Sequence, residues 1–444
     1  MGRLTRIRRR TFLKAAAATS SAVVAPMLVP SSVLGANPPS ERIVVGMIGF
    51  GRQAYHVNVR QLLESPNAQV VAVCDVDSWR ARQGKRGIEK FYSDAAGKPY
   101  KGCAVYEDFR ELLARADVDA VMSSTPDHWH VPIGIAAAKA GKHISSEKPL
   151  TTAIAHGRLL CETVKQCGVI SRTDSEFRSL PVFWKAAERV RNGYIGKLKA
   201  IEVNSPGDTE PVGMPEPMPV PKELNYDLWL GPAFEKPYTL DRVHPRKNLN
   251  GRPGWLRISD YTNGMIANWG SHLNDVAQWA HGTERTGPVN VKGTGAFSEG
   301  LWDTITDFRV QYDFADGVVH TYTMGGAKAT IKWIGSDGWI RVEYSKVIEA
   351  SDPAILEEPL KEGEEDLSGT LSDKEDWLRA VKRGEEALNP FEVGHRTNTI
   401  AQIGLIAVQT GKELQWDPAA ERFTNDESAN RLLDRPVRGD WLKV

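Results

Sequence analysis

The stretch Ile43-Val44-Val45-Gly46-Met47-Ile48-Gly49-Phe50-Gly51-Arg52-Gln53-Ala54 decides the fold. Six mostly apolar residues read as a buried strand. The turn Gly49-Phe50-Gly51-Arg52-Gln53-Ala54 follows at once, and an amphipathic stretch runs on to Leu62-Leu63. Strand, G-x-G-x-x-A and helix make a dinucleotide-binding unit. The first glycine permits the tight turn, the second lets backbone approach a pyrophosphate, and the small third residue lets helix and strand pack closely. The helix N-terminus adds unpaired N–H groups and a favourable dipole. A second strand, Gln69–Cys74, ends in Asp75, where an acid accepts the hydroxyls of the adenosine ribose. A carboxylate there repels a 2′-phosphate, so the cofactor expected is NAD, with NADP less favoured. Arg80 and Arg82 follow closely and soften that preference.

Val118–Ser124 reads as a further strand. It ends in Thr125-Pro126-Asp127-His128-Trp129-His130, before a helix that reaches Gly141. His143-Ile144-Ser145-Ser146-Glu147-Lys148-Pro149-Leu150 comes next. Beta–alpha alternation of this kind gives an α/β fold class with a doubly wound parallel sheet. Ligands of such a sheet sit beyond the strand C-termini, where the Thr125–His130 turn and Glu147-Lys148 fall. The expected cofactor contacts are therefore Gly49, Phe50, Gly51, Arg52, Gln53, Asp75, Thr125, Pro126, His128, His130, Glu147 and Lys148. His128 and His130 form an H-x-H, but no third ligand stands nearby in sequence. No metal is expected; nicotinamide contacts or helix capping suit that turn better.

The first 36 residues read as an address. Arg8-Arg9-Arg10-Thr11-Phe12-Leu13-Lys14 precedes a modest apolar stretch, and Gly35-Ala36 offers a cleavage point. Arg9-Arg10-x-Phe12-Leu13-Lys14 resembles a bacterial twin-arginine signal. The stretch is too short and too weakly apolar for a good membrane span, so no stable span is expected after cleavage. A periplasmic or exported location and the twin-arginine machinery as partner are the expectation. The 444 residues suffice for two or three domains, with 41% apolar and 25% charged residues in ordinary globular proportion. Lys+Arg and Asp+Glu are each 56, so no basic excess points to nucleic acid. Four cysteines are too few for a disulfide scaffold and lack zinc spacing.

These residues resemble the Gfo/Idh/MocA family, named for glucose–fructose oxidoreductase and inositol dehydrogenase. The resemblance is carried by the Gly49–Ala54 turn, Thr125-Pro126-x-x-x-His130, Ala140-Gly141-Lys142-His143 and Glu147-Lys148-Pro149-Leu150. Gly270-Ser271-His272-x-x-Asp275, Gly335-x-x-Gly338-Trp339 and Glu392-x-Gly394-His395-Arg396 extend it towards the C-terminus. It implies a Rossmann domain, placed at 41–165. A C-terminal α/β domain at 166–440 would carry an open, mostly antiparallel sheet for substrate and for dimer or tetramer contacts. Segments around 198–203, 306–312, 318–323, 329–334 and 339–342 have the matching half-buried strand pattern. Residues 206–237 hold eight prolines and read as a surface excursion, not an element.

The resemblance also assigns chemistry. It places Lys148 at the reacting hydroxyl and makes His272 the general base or acid, which suits an imidazole near neutral pH. Many members carry Asp four residues before that histidine; this chain has Asn268, with Asp275 the nearest acid. Asn268, Asp275, Arg178 and Tyr261 are the expected substrate contacts. Glu392, His395 and Arg396 are expected in a structural network. The activity implied is NAD-dependent oxidation of a hydroxyl on a small carbohydrate, cyclitol or glycoside, with a tightly held cofactor recycled by a second substrate. The same parts also serve glycoside hydrolysis by transient oxidation, elimination, hydration and re-reduction. A silent sugar-binding protein is the non-enzymatic alternative.

Overall fold

The computed structural model describes residues 41–208, 212–344 and 347–443. The twin-arginine stretch lies outside them. Six strands form the N-terminal sheet: β1 (Ile43–Ile48), β2 (Ala68–Cys74), β3 (Ala104–Tyr106), β4 (Ala120–Ser123), β5 (His143–Glu147) and β6 (Ser171–Asp174). Their order is β3-β2-β1-β4-β5-β6, and every pair is parallel. β1, β2 and β4 are buried almost throughout because helices cover both faces, which explains their unbroken apolar runs. Strand order reverses between β1 and β4, so a crevice opens above their C-terminal ends. β6 carries the sheet to Asp174, past the expected boundary at 165, which falls inside a helix, α5 (below).

The helices that matter here are α1 (Val59–Glu64), α2 (Ser78–Ala96), α3 (Phe109–Leu113), α4 (His130–Lys139) and α5 (Ile154–Cys167). α4 stops before Gly141, whose φ of 70° supports the expected C-terminal cap. Between the glycine turn and α1 lies one π-helical turn, Ala54–Asn58. Such turns recur at functional sites, and this one buries Asn58.

The second sheet has nine strands: β7 (Leu198–Pro206), β8 (Asn290–Phe297), β9 (Ile305–Asp313), β10 (Val319–Gly326), β11 (Thr330–Gly335), β12 (Trp339–Glu343), β13 (Val347–Ala350), β14 (Leu414–Asp417) and β15 (Arg422–Phe423). The order is β13-β12-β11-β7-β10-β9-β8-β14-β15. Only β7 and β10 pair in parallel among its described ladders. His320, Tyr322 and Met324 alternate inward from β10, while Val319, Thr321 and Thr323 stay half-exposed. One face is thus packed under helices α6 (Pro181–Arg191), α8 (Met265–His281) and α9 (Phe391–Thr410), and the other is open.

The proline-rich excursion divides in two. Gly213–Lys222 is largely exposed, as expected. Beyond it the chain forms a short helix, α7 (Tyr226–Leu230), and a small core of Leu224, Trp229, Leu230, Tyr238, Val243, Ile258 and Tyr261. This corrects the expectation of no element: prolines punctuate the entry, but Trp229 and Leu230 bury enough apolar surface to order the rest. The ordered part is tied to the Rossmann edge. Ser78 N donates to Glu223 O (2.8 Å) and Asn225 N to Val76 O (2.8 Å). Arg80 Nη2 donates to Pro245 O (3.2 Å) and Asn248 O (3.1 Å).

Candidate active site

The crevice runs from the glycine turn to Lys148. It is lined by Gly49–Gln53, Asp75, Arg80, Thr125–Asp127, Trp129, Glu147, Lys148 and Asn268. From the opposite side, Leu228, Trp229, His244, Gly251–Pro253, Trp255 and Leu256 roof it.

Gly49 has φ of +83°, and a Cβ there would lie 2.6 Å from the Ser124 carbonyl oxygen. Only glycine fits beneath β4. At Gly51 a Cβ would meet nothing closer than Arg80 Nη1 at 3.9 Å. That space faces the helix start, where phosphates are bound. Asp75 Oδ2 accepts from Phe50 N (2.7 Å) and Oδ1 from Asp77 N (2.8 Å). Burial pushes its pKa up to about 6, against the pull of Arg80. Arg80 is held by the Pro245 and Asn248 carbonyls and is buried, so it is committed to the roof, whereas Arg82 is exposed. The open cradle at Gly51 and the acid at the end of β2 together fit a dinucleotide.

A pH dependence follows. An ionised Asp75 accepts two ribose hydroxyls; a protonated one does so poorly. As pH falls through about 6, NAD affinity is expected to weaken, by up to about tenfold per pH unit. Calorimetric titration between pH 5 and 8 (about that range) checks the sign, and Asp75→Asn should flatten the curve.

Lys148 Nζ donates to Asn268 Oδ1 (3.2 Å), so the end of β5 meets the start of α8. His272 lies one turn further along α8, on the same face. Its Nδ1 faces the carbonyl of Ser175, which can only accept, so the proton sits on Nδ1. Nε2 keeps its lone pair and has no protein partner among the described residues. Phe177 stacks on the ring at 4.5 Å. The near-neutral imidazole expected at His272 is not what the structure holds: burial, reinforced by the Lys148 charge, lowers its pKa to about 3, so the ring is neutral across the physiological range. Glu147 accepts from Asn58 Nδ2 (2.9 Å), which also donates to Ser124 Oγ (2.8 Å). Burial and the neighbouring Asp174 push Glu147 up to about 8. Asn58 thus stitches three segments around the crevice, a role that no local sequence signal announces.

Several expected site residues are placed elsewhere. Arg178 and Asp275 are both buried and grip each other, Nε to Oδ2 at 2.9 Å and Nη2 to Oδ1 at 2.7 Å. Ser175 and Asn389 also donate to Asp275. This pair holds α8 against the segment after β6 and reaches no substrate. Breaking a buried pair leaves an unpaired charge, so Arg178→Ala is expected to cost about 3–5 kcal/mol of stability, read by denaturant unfolding. Tyr261 is fully enclosed and accepts from Arg242 Nη1 at 3.3 Å, which also removes it from the substrate set. His128 is not among the crevice-lining residues; its Nε2 meets Trp229 O at 3.1 Å, and burial lowers its pKa to about 3. His130 is buried between the carbonyls of Pro149 (2.7 Å) and Thr125 (3.0 Å). Both are joints that fix the turn, and not surfaces open to a nicotinamide. Glu392 and His395 join Arg158, Arg396 and Glu421 in the expected network.

A Rossmann domain with an open dinucleotide cradle, joined to a mixed-sheet domain that supplies Asn268 and His272, defines the two-domain nicotinamide oxidoreductases. Comparison with known sequences agrees. The model of an oxidoreductase family's NAD-binding Rossmann fold matches residues 43–174. That of the same family's C-terminal alpha/beta domain matches residues 212–443. The chain belongs to the Gfo/Idh/MocA oxidoreductase family and carries its NAD-binding domain.

Among curated proteins, it is 30% identical over 215 residues to an alpha-N-acetylgalactosaminidase of Shewanella oneidensis, covering 43% of this chain and 44% of that protein. It is 35% identical over 153 residues to the scyllo-inositol 2-dehydrogenase (NAD(+)) of Bacillus subtilis, covering 34% and 41%. The matched part is thus less than half the length of these relatives. Among solved structures, the aldose-aldose oxidoreductase of Caulobacter crescentus superposes with a TM-score of 0.60 at 16% identity, over 84% of this chain and 99% of that one, a likeness of fold.

Proposed function

We propose that this chain is an exported, NAD-dependent oxidoreductase acting on a hydroxyl of a sugar, cyclitol or glycoside. Its nucleotide stays bound and is recycled by a second substrate. The observation that carries this reading is the meeting of Lys148 and Asn268 at the far end of the crevice that begins at Gly49 and Gly51, with His272 one helical turn beyond Asn268. NAD, when bound, supplies the hydride acceptor. Lys148 holds the reacting hydroxyl oxygen with its ammonium. His272 takes the hydroxyl proton at Nε2, because Nδ1–H is committed to Ser175. Asn268 aims Lys148 and presents its amide N–H groups to a neighbouring hydroxyl. Leu228, Trp229, Gly251–Pro253, Trp255 and Leu256 roof the site, keep water out and slow nucleotide escape.

Export of a folded, loaded protein suits the Arg9-Arg10-x-Phe12-Leu13-Lys14 motif, because the periplasm offers little free NAD. No helix among the described residues is long and apolar enough to cross a membrane. The open face of the nine-stranded sheet is offered to a second copy, giving a dimer or tetramer.

The test uses the purified protein without added NAD. Pairs of sugars and polyols should exchange oxidation states in equal amounts. A second reading, glycoside cleavage through transient oxidation, is favoured by Asn268 standing where the family resemblance leads one to expect Asp, and by the glycosidase relative. It would show as nitrophenol release from p-nitrophenyl α-N-acetylgalactosaminide with no net redox change. Neither exchange nor cleavage would overturn both.

A further inference from the structure

The segment between β6 and α6 holds one residue that the mechanism above leaves unused. Ser175-Glu176-Phe177 is a γ-turn: Phe177 N donates to Ser175 O at 2.8 Å, and Glu176 has φ 63° and ψ −38°. The positive-φ form of this turn is rare and strained for a residue with a side chain. Among the described residues only Lys247 and Glu421 share a positive φ without being glycine. Glu421 spends its carboxylate on Arg158, His395 and Arg396. Glu176 does not: Oε1 accepts from the Gln53 amide at 2.7 Å, and Oε2 has no hydrogen-bond partner among the described residues. Gln53 lines the crevice. The same turn carries the Ser175 carbonyl that fixes His272, and Phe177, which stacks on it. The strained turn therefore places one free carboxylate oxygen beside the cofactor loop and next to the base. Burial and the nearby Asp373 push the Glu176 pKa up, while the charges of Lys374 and Lys148 pull it back towards the ionised form.

We propose that Glu176 is the substrate-binding carboxylate of this site, accepting a hydrogen bond from a second hydroxyl of a polyhydroxylated ring. It supplies the negative charge that Asn268 lacks. This rests on the oxidoreductase reading above.

The experiment compares wild type, Glu176→Gln and Glu176→Gly, each loaded with NAD. The readout is reduction of the bound nicotinamide by myo-inositol, D-glucose or N-acetyl-D-galactosamine, with melting temperature and nucleotide content measured alongside. Glutamine keeps an oxygen for Gln53, so folding and nucleotide content should be unchanged while KM rises about tenfold or more, with a smaller change in kcat. Glycine relieves the turn, so that variant should melt higher than wild type yet lose the same affinity. Unchanged KM in Glu176→Gln, with the wild type active, would overturn the role of Glu176 alone. Loss of nucleotide at unchanged KM would overturn it in favour of a cofactor contact. A wild type that reduces its nicotinamide with none of the sugars would overturn the proposal together with the reading beneath it.

Discussion

Lys148→Met is expected to leave a folded protein that retains its nucleotide but turns over about 10²- to 10⁴-fold more slowly. Methionine fills the space of the lysine stem without its charge. The phosphate cradle lies at the other end of the crevice, at Gly49–Gln53, so nucleotide content should not change. The loss corresponds to about 3–5 kcal/mol of transition-state stabilisation. It should appear in kcat, because the ammonium interacts most strongly when the hydroxyl oxygen gains negative charge. Lys148→Arg should not restore the rate. A planar guanidinium cannot occupy the point position beside Asn268 Oδ1 that an ammonium takes. Single-turnover kinetics with released nucleotide quantified in parallel separates this outcome from simple loss of cofactor.

The second large effect separates two glycines that stand two residues apart, Gly49 and Gly51. At Gly49 the backbone is left-handed and the space is already filled by the Ser124 carbonyl. Gly49→Val is therefore expected to destabilise the apo fold, by about 1–2 kcal/mol from the backbone alone, with overpacking adding about 1–3 kcal/mol. At Gly51 the added Cβ has room, with Arg80 Nη1 its nearest neighbour at 3.9 Å. Gly51→Ala should fold as well as wild type and still lose nucleotide, because the methyl group occupies the phosphate approach. Melting of the stripped proteins and nucleotide content of the isolated ones distinguish the two. Equal loss of stability in both would mean that the turn is only a structural corner.

The cradle was legible in the sequence because its logic is local. A buried strand, two glycines and an acid at the end of the next strand stand within thirty-odd residues of each other (from Ile43 to Asp75), each required by the ligand's shape. Lys148, Asn268 and His272 were legible through the family resemblance, and the structure brings the first two to hydrogen-bond distance. What was not legible depends on partners distant in the chain. Arg178 and Asp275 look like free polar residues until 97 positions of chain fold back and pair them. His128 and Tyr261 read as site residues because they flank motifs, yet the core around Trp229 encloses both. Asn58 and Glu176 owe their placement to a π-helical turn and a γ-turn, and neither backbone form has a sequence pattern of its own.

The most direct test of an oxidoreductase that keeps and recycles its nucleotide is made on the folded protein, purified without added cofactor. The protein is denatured and the released nucleotide identified by mass and absorbance. NAD or NADH at close to one per chain is the expected result. A protein that releases no nucleotide, and binds none when NAD is added, would contradict the account.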